Sequence, residues 1–563
     1  MKNLSGCIIW YLFIFNCLNI HAQTIIPGGY VSGNWDISGS PYLIDGNLLV
    51  QPDSTLEIGL GTEILFRGTF RLEVLGQLLV SGTPTQPVIF DGENDTIEWR
   101  GIYFNATDSS LTDSSILANG SINNSLGGSG LTLNNSNRVR ISGFTIRNCA
   151  SFQGGAIRCV DSAPVFENLL IENNSALDGA GIALDASNAI IKNCSFNNNI
   201  ANGAGGGMVI YNGSAPVLEN CTFTGNSSIG SGGGIYINDA SPVLSQCTFL
   251  ANAGALGGSS LYSGGAVSVK LGADPRFENC TFSENTSNTS GGAIASFSPN
   301  EIINCLFVEN SAPVSGGAIF LSSGNPIETT LFNNTFHNNE SPDGSVLYAH
   351  NHVAVMLNCI AWQDETPDTS SLVRLDAIMS LVALFIAYSD LKDAQEGIEL
   401  TGNAGYSWGT GNIVLDPLFL PGIYDLDWQS PCIEAGTPDT TGLGLPELDL
   451  NNNPRYANDR IDMGAFEYQL PLAVQSLKFK DQREMRVFPN PAREWVWVET
   501  NEDREYCSIE LINSSGLILS KKDLHPGEEM ARIDLSPYPA GIYLVRLSAN
   551  GEGVSNRSII KVR

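Results

Sequence analysis

Asn193-Cys194-Ser195-Phe196, Asn220-Cys221-Thr222-Phe223, Gln246-Cys247-Thr248-Phe249, Asn279-Cys280-Thr281-Phe282 and Asn304-Cys305-Leu306-Phe307 repeat one phrase, which Asn334-Thr335-Phe336 and Asn358-Cys359 continue. Each copy leads through a polar, Asn-bearing stretch to a glycine-rich element such as Gly179-Ala180-Gly181-Ile182, Gly205-Gly206-Gly207-Met208 or Gly291-Gly292-Ala293-Ile294. A third element, as in Ala215-Pro216-Val217-Leu218, closes the unit, and most units span 24 to 27 residues. Three short strands divided by Gly, Asn and Pro turns cannot bury an apolar face alone. Stacked coil on coil, they form three continuous parallel sheets around one core. With coils about 4.8 Å apart, roughly fourteen of them make a rod of roughly 65 Å. The predicted fold is all-β, a three-sheet parallel β-helix. Recurrent Asn side chains would form an amide ladder, Cys and Phe would stack inside, and small Gly and Ala residues would permit a tight corner.

The chain of 563 residues carries 28 Lys+Arg against 58 Asp+Glu, a formal charge of -30. From position 476 onward there are 13 basic and 13 acidic residues, so the whole deficit falls on the first 475 positions. That field excludes nucleic acid as a partner and disfavours polyanionic glycans unless divalent cations bridge the like charges. The opening Met1-Lys2-Asn3, the apolar run Ile8 to Leu18 and Ile20-His21-Ala22 before Gln23 fit a cleaved export leader. The apolar run Ala377 to Tyr388 is too short to span a bilayer and reads as buried strands, so no transmembrane span is expected.

Ten cysteines follow the leader, which in an exported chain invites a disulfide framework. Seven of them read as one repeat position, where a free thiol packs as a small hydrophobe, so a buried thiol ladder is expected. Cys149 and Cys159 are the pair most suited to depart from it, and no pair has Cys-x-x-Cys spacing.

Between about 150 and 360 these phrases resemble the right-handed parallel β-helix repeat families that include bacterial surface proteins. Upstream, Gly61-Thr62-Glu63-Ile64-Leu65-Phe66 and Trp99-Arg100-Gly101-Ile102-Tyr103-Phe104 look like first coils and cap. Downstream, Asp416-Pro417-Leu418-Phe419, Ser430-Pro431-Cys432-Ile433 and Asp462-Met463-Gly464-Ala465-Phe466-Glu467 look like a closing segment, and open solenoid ends call for caps. After Pro471 the charge balance and pattern change. Val487-Phe488-Pro489-Asn490-Pro491, strands around Ser514-Ser515-Gly516, Leu535-Ser536-Pro537-Tyr538-Pro539-Ala540-Gly541-Ile542-Tyr543 and the ending Ile559-Ile560-Lys561-Val562-Arg563 predict a small β-sandwich. This string resembles the type A sorting domain of type IX secretion cargo. The resemblance implies engagement of the type IX machinery, passage across a Gram-negative outer membrane, and release or attachment at the cell surface. The expected organisation is a signal peptide at 1–22, cap and first coils at 23–146, repeats at 147–390, the closing segment at 391–470, a linker at 471–485 and the sorting domain at 486–563.

Three functions remain open: a non-catalytic, adhesin-like or glycan-contacting scaffold; a polysaccharide lyase or glycoside hydrolase acting on extracellular glycans; and a purely structural envelope component. Glycans or surface receptors are the expected partners. The interval Cys247 to Cys280 is 33 residues, so one coil carries an inserted loop near Gly257 to Tyr262. Close to it in sequence, Lys270, Asp274, Arg276 and Glu278 offer a base, a carboxylate pair and a cation for catalysis, or simply a solvated, ion-paired coil face. Asp449, Asn451, Asn453, Asp459 and Asp462 are rich in oxygen ligands and are the candidates for a structural Ca2+, without full EF-hand spacing. His350 and His352 are expected on one strand face, as metal or substrate ligands or as surface polar residues near a turn. Tyr211 and Tyr236, expected at equivalent repeat positions, are either a sugar platform or core stacking. Asp178, Asp185 and Asp239 recur beside turns, as Asx turns would have them.

Overall fold

A computed structural model of the protein describes residues 23–94, 96–105, 114–258, 263–364, 371–456, 460–469, 485–490, 492–500, 507–513, 517–525, 530–549 and 552–562. The leader positions 1–22, most of the linker, loop positions 259–262, Asp459 and Ser514-Ser515-Gly516 lie outside the described residues. The chain divides after Glu467 into two compact units.

The first unit is a parallel β-solenoid of about 14 turns, already in register at Thr24–Ile26. Equivalent residues stack strictly: on the first sheet Ile182, Met208, Ile235, Val267, Ile294, Ile319, Leu347, Val373 and Ile398 pair in succession, all pointing inward and buried. On the third sheet Phe196, Phe223, Phe249, Phe282, Phe307 and Phe336 stack ring on ring with centroids 4.4–4.9 Å apart. A fourth, six-stranded sheet of very short strands, from Ala150–Gln153 to Thr286–Ser287, precedes the glycine corner and was not foreseen. The corner itself needs glycine: at Gly205 φ is +65°, and a Cβ there would lie 2.2 Å from the Met208 carbonyl oxygen.

Two details revise the sequence reading. The Asn of the repeated phrase is first of all a corner residue, left-handed at φ 52–57° in Asn193, Asn220, Asn279, Asn304 and Asn358, where Asn is tolerated. Only some neighbours there are bonded, such as Asn220 to Asn193 at 2.8 Å. The continuous ladder is built by the next Asn of each coil. Asn174, Asn199, Asn226, Asn252, Asn285, Asn310 and Asn339 are buried, each amide Nδ2 donating to the next Oδ1 at 2.9–3.0 Å. Cys149 belongs to that second position. Arg147 pairs with Glu172, so Cys149 faces Asn174, and its N–H donates to Asn174 Oδ1 at 3.0 Å. The thiol ladder therefore holds Cys194, Cys221, Cys247, Cys280, Cys305 and Cys359, with Cys149 and Cys159 elsewhere and all of these thiols free and buried. Burial pushes the Cys149 and Cys359 thiols up to about 12.

Of the segment expected to close the solenoid, Ile398–Trp408 forms the last coil, whereas the stretch 418–467 folds back along the flank of the third sheet. Gly464 N–H donates to the Asn358 carbonyl at 2.7 Å, Ala465 N–H to Thr335 Oγ1 at 2.9 Å, and Gln246 Nε2 to Asn452 Oδ1 at 2.9 Å. The reason is apolar surface. Outward positions of the third sheet are Thr222, Thr248 and Thr281 in earlier coils but Leu306, Val308 and Ile360 in later ones, and these are covered by Ala465 and Phe466 and by Leu426, Cys432 and Met463.

The second unit consists of a three-stranded antiparallel sheet (Met485–Phe488, Trp495–Thr500, Met530–Asp534) and a four-stranded one (Cys507–Asn513, Ile518–Leu524, Gly541–Ala549, Glu552–Lys561). Val496, Val498, Ile509, Leu511, Val545 and Ile559 share its core.

Candidate functional site

The outward face of the first sheet carries an axial row of aromatic side chains, half-buried at Tyr211, Tyr236, Phe297 and Tyr348 and buried at Phe320. Strand alternation turns every second residue outward, and stacking brings outward residues of successive coils together. Tyr211 and Tyr236 meet edge to face at 6.1 Å. They are not at equivalent positions: Tyr236 pairs with Val209, and Tyr211 with Asn238, because Tyr211 is the fourth residue of Met208–Tyr211 and Tyr236 the second of Ile235–Asn238. Nor are they core residues. Farther along, Lys270 Nζ lies 4.6 Å above the Phe297 ring, Phe297 contacts Phe320 at 6.3 Å, and Phe320 stacks on Tyr348 at 5.3 Å and 9°. Arg374, two coils after Phe320, is held by Asp343 at 3.4 Å and Glu399 at 2.5 Å. Burial pushes the Lys270 ammonium down to about 8, and burial, then the nearby Asp178 carboxylate, pushes the Tyr211 and Tyr236 phenols up.

The four residues around the inserted loop do not converge. Lys270 follows Val267–Val269 on the first-sheet face, and Asp274 is exposed in the turn that follows. Arg276 and Glu278 lie on Arg276–Glu278 of the second sheet, where Arg276 pairs with Glu278 at 2.9 Å, with Glu301, and with the Gly444 carbonyl at 2.8 Å. The corner between the two sheets separates base from cation.

His350 and His352 also part. Asn351 adopts φ 49°, which turns the chain, so His350 remains outward beside Asp376 at 2.9 Å while His352 is buried against Thr329 Oγ1 at 2.9 Å. Burial pulls the His352 imidazole down to about 4, which keeps it neutral. His337 faces Asp364 at 3.3 Å. Asp178 accepts the Ala204 N–H, Asp185 accepts the Asn212 amide, and Asp239 is a left-handed corner residue. In the folded-back segment, Asp449 receives the backbone N–H groups of Asn451, Asn453 and Glu467 at 2.7–2.9 Å, and Asp462 receives that of Glu434. Asn451 turns away to Asp425. Among the described residues no group of three or more His, Cys, Asp or Glu side chains is placed to hold a metal ion. The sequence reading missed buried Arg455, which pairs with Glu467 at 2.7 Å and with Asn304. The visible signal was Leu306 standing where the phrase elsewhere has Ser or Thr.

Comparison with known proteins agrees with this architecture. Residues 90–231 and 196–360 match the family described as "Right handed beta helix region", and residues 486–561 match "Secretion system C-terminal sorting domain". The chain is a right-handed parallel β-helix repeat protein with a C-terminal type IX sorting domain. It is exported by type IX secretion to the cell surface or beyond. Among solved structures it is similar to a pectate lyase (14% identity, 76% of this chain and 88% of that one, TM-score 0.32). It is also similar to the enzymatically active domain of tailspike protein 4 of bacteriophage CBA120 (10% identity, 89% of this chain and 62% of that one, TM-score 0.22). No curated protein matches the chain. No helix among the described residues is long and apolar enough to cross a membrane.

Proposed function

We propose that the exported protein is a non-catalytic scaffold that contacts glycans through the aromatic ribbon of its first sheet. The observation that carries this reading is a row of aromatic side chains along the axis of one face, the pair Tyr211–Tyr236 and, past the coil of Ser268, the run Phe297–Phe320–Tyr348, set along the direction a linear polysaccharide would take. The separation of Lys270 from Arg276 and Glu278 supports binding over catalysis. A lyase or hydrolase reading keeps one specific support, the Lys270 amine, which burial brings to about 8, within the range of a general base.

The test incubates the secreted protein with a polysaccharide panel, with and without calcium, following binding, reducing ends and unsaturated products together. Expected are retention on at least one polysaccharide, loss of most of it in Tyr236→Ala/Tyr348→Ala, and no product. Product formation abolished by Lys270→Met would overturn the scaffold in favour of an enzyme.

A further inference from the structure

Where the folded-back segment leaves the third sheet it walls off a cleft of about 560 Å³, within the size range of small-molecule sites. Its floor is the third sheet at the coils of Thr248 and Thr281, and its opposite wall is the turn around Tyr424 together with Asn452 and Phe466. We propose that this cleft binds a short neutral oligosaccharide, at a site separate from the first-sheet ribbon and independent of it.

The first argument is the kind of polar group presented. In a chain of net charge -30, every polar side chain lining the cleft is a hydroxyl, phenol or carboxamide, and no ionised group is among them. Thr248 and Thr281 sit in register on adjacent coils, and neither hydroxyl has a hydrogen-bond partner among the described residues. The corner amides beside them are only half used. Asn220 donates to Asn193 and keeps its Oδ1, Asn279 accepts from Asn304 and keeps its Nδ2, and Gln246 donates to Asn452 and keeps its Oε1. Two neutral acceptors, Asn220 Oδ1 and Gln246 Oε1, and one neutral donor, Asn279 Nδ2, thus line the floor on successive coils about 4.8 Å apart, beside the two threonine hydroxyls. Sugar hydroxyls, which both donate and accept, complement such a row.

The second argument is the apolar wall. Tyr424 and Phe466 pack with Leu306 and Leu450 beside that floor, an aromatic surface suited to the C–H face of a pyranose. The third is the surrounding field. Burial first, and then the carboxylates of Glu309, Asp364 and Glu284, push the Tyr424 phenol up. A uronate would enter against those charges; a neutral sugar would not. Gln246 is the one departure from Asn among the complete copies of the repeated phrase, and its extra methylene brings the amide to Asn452, which joins the two walls.

Titration calorimetry of the full secreted chain with β-1,4-linked tetrasaccharides of glucose, mannose and N-acetylglucosamine, and with tetragalacturonate, tests the assignment. At least one neutral tetrasaccharide should bind more tightly than tetragalacturonate. Thr248→Val/Thr281→Val should weaken it tenfold or more, and Thr248→Ser should bind as the unmodified chain does. Hydrogen exchange on the unmodified chain supplies a readout that needs no variant: the bound sugar should slow exchange in residues 420–425 and 450–452. Absence of neutral-sugar binding, preference for tetragalacturonate, undiminished binding by the double valine variant, or no protection of those two stretches would each overturn the proposal.

Discussion

The repeated coils and the segment folded back over them hold themselves together by opposite strategies. Between Ser195 and Phe336 the interior contacts occur many times: ring on ring, amide to amide, thiol beside thiol, each related to the next by one coil. Along 418–467 each contact occurs once. Arg276 to the Gly444 carbonyl, Thr437 N–H to Asn358 Oδ1 and Arg455 to Glu467 and Asn304 have no counterpart elsewhere among the described residues. A repeated contact shares its load with its neighbours, whereas a single contact to a buried charge has nothing behind it. The difference teaches that local variants should be absorbed in one region and transmitted in the other.

The sharpest way to break this comparison is Arg455→Met. It leaves the buried Glu467 carboxylate and Asn304 without their cation, and removal of one partner from a buried ion pair costs about 4 kcal/mol. Limited proteolysis should cut within 418–467 while the far-ultraviolet signal of the solenoid persists. Joint loss of both would show that the segment and coils are one cooperative unit. A smaller effect is expected from Asn226→Leu, which strands the Asn199 N–H and the Phe196 carbonyl inside the ladder, at about 3 kcal/mol by denaturant unfolding. A loss as large as that of Arg455→Met would mean that the ladder does not share its load.

The smallest effect is a pH dependence at the junction of the two regions. Asp390 is buried beside Cys432 and accepts the Leu415 N–H, and burial raises its carboxyl to about 6. Its ordinary value is about 3.9, so between these two values the folded state binds more protons than the unfolded one. Stability from this group is therefore present at acid pH and lost as pH rises through about 6. Melting temperatures of the unmodified chain and Asp390→Asn should converge toward pH 4 and diverge toward pH 7, with the variant higher. A constant offset would remove Asp390 as the source.

How much was legible follows the same division. The Cys-x-Phe phrase recurs often enough that inward and outward positions could be assigned from spacing, and the rings stack accordingly. Cys149 was misassigned because Asn148-Cys149 has the letters of the phrase but the register of Asn173-Asn174; pairing of Arg147 with Glu172 decides it. Tyr211 and Tyr236 are likewise offset by two, since Tyr211 is the fourth residue of Met208–Tyr211 and Tyr236 the second of Ile235–Asn238. Lys270, Asp274, Arg276 and Glu278 were near in sequence, yet a corner places them on two faces. The folded-back path was least legible. Only Leu306 and Gln246, each departing from its repeat, marked where something would lie on the third sheet.

By itself the sequence determined the β-helix, its interior stacks and its export, because each rests on local patterns: a repeat copied many times, and a terminal string recognised by its order. Only the tertiary structure decided which outward residues meet along the axis and where 418–467 lies. Those depend on register between coils and on single contacts between residues more than a hundred positions apart, such as Arg455 and Asn304, that no periodicity announces.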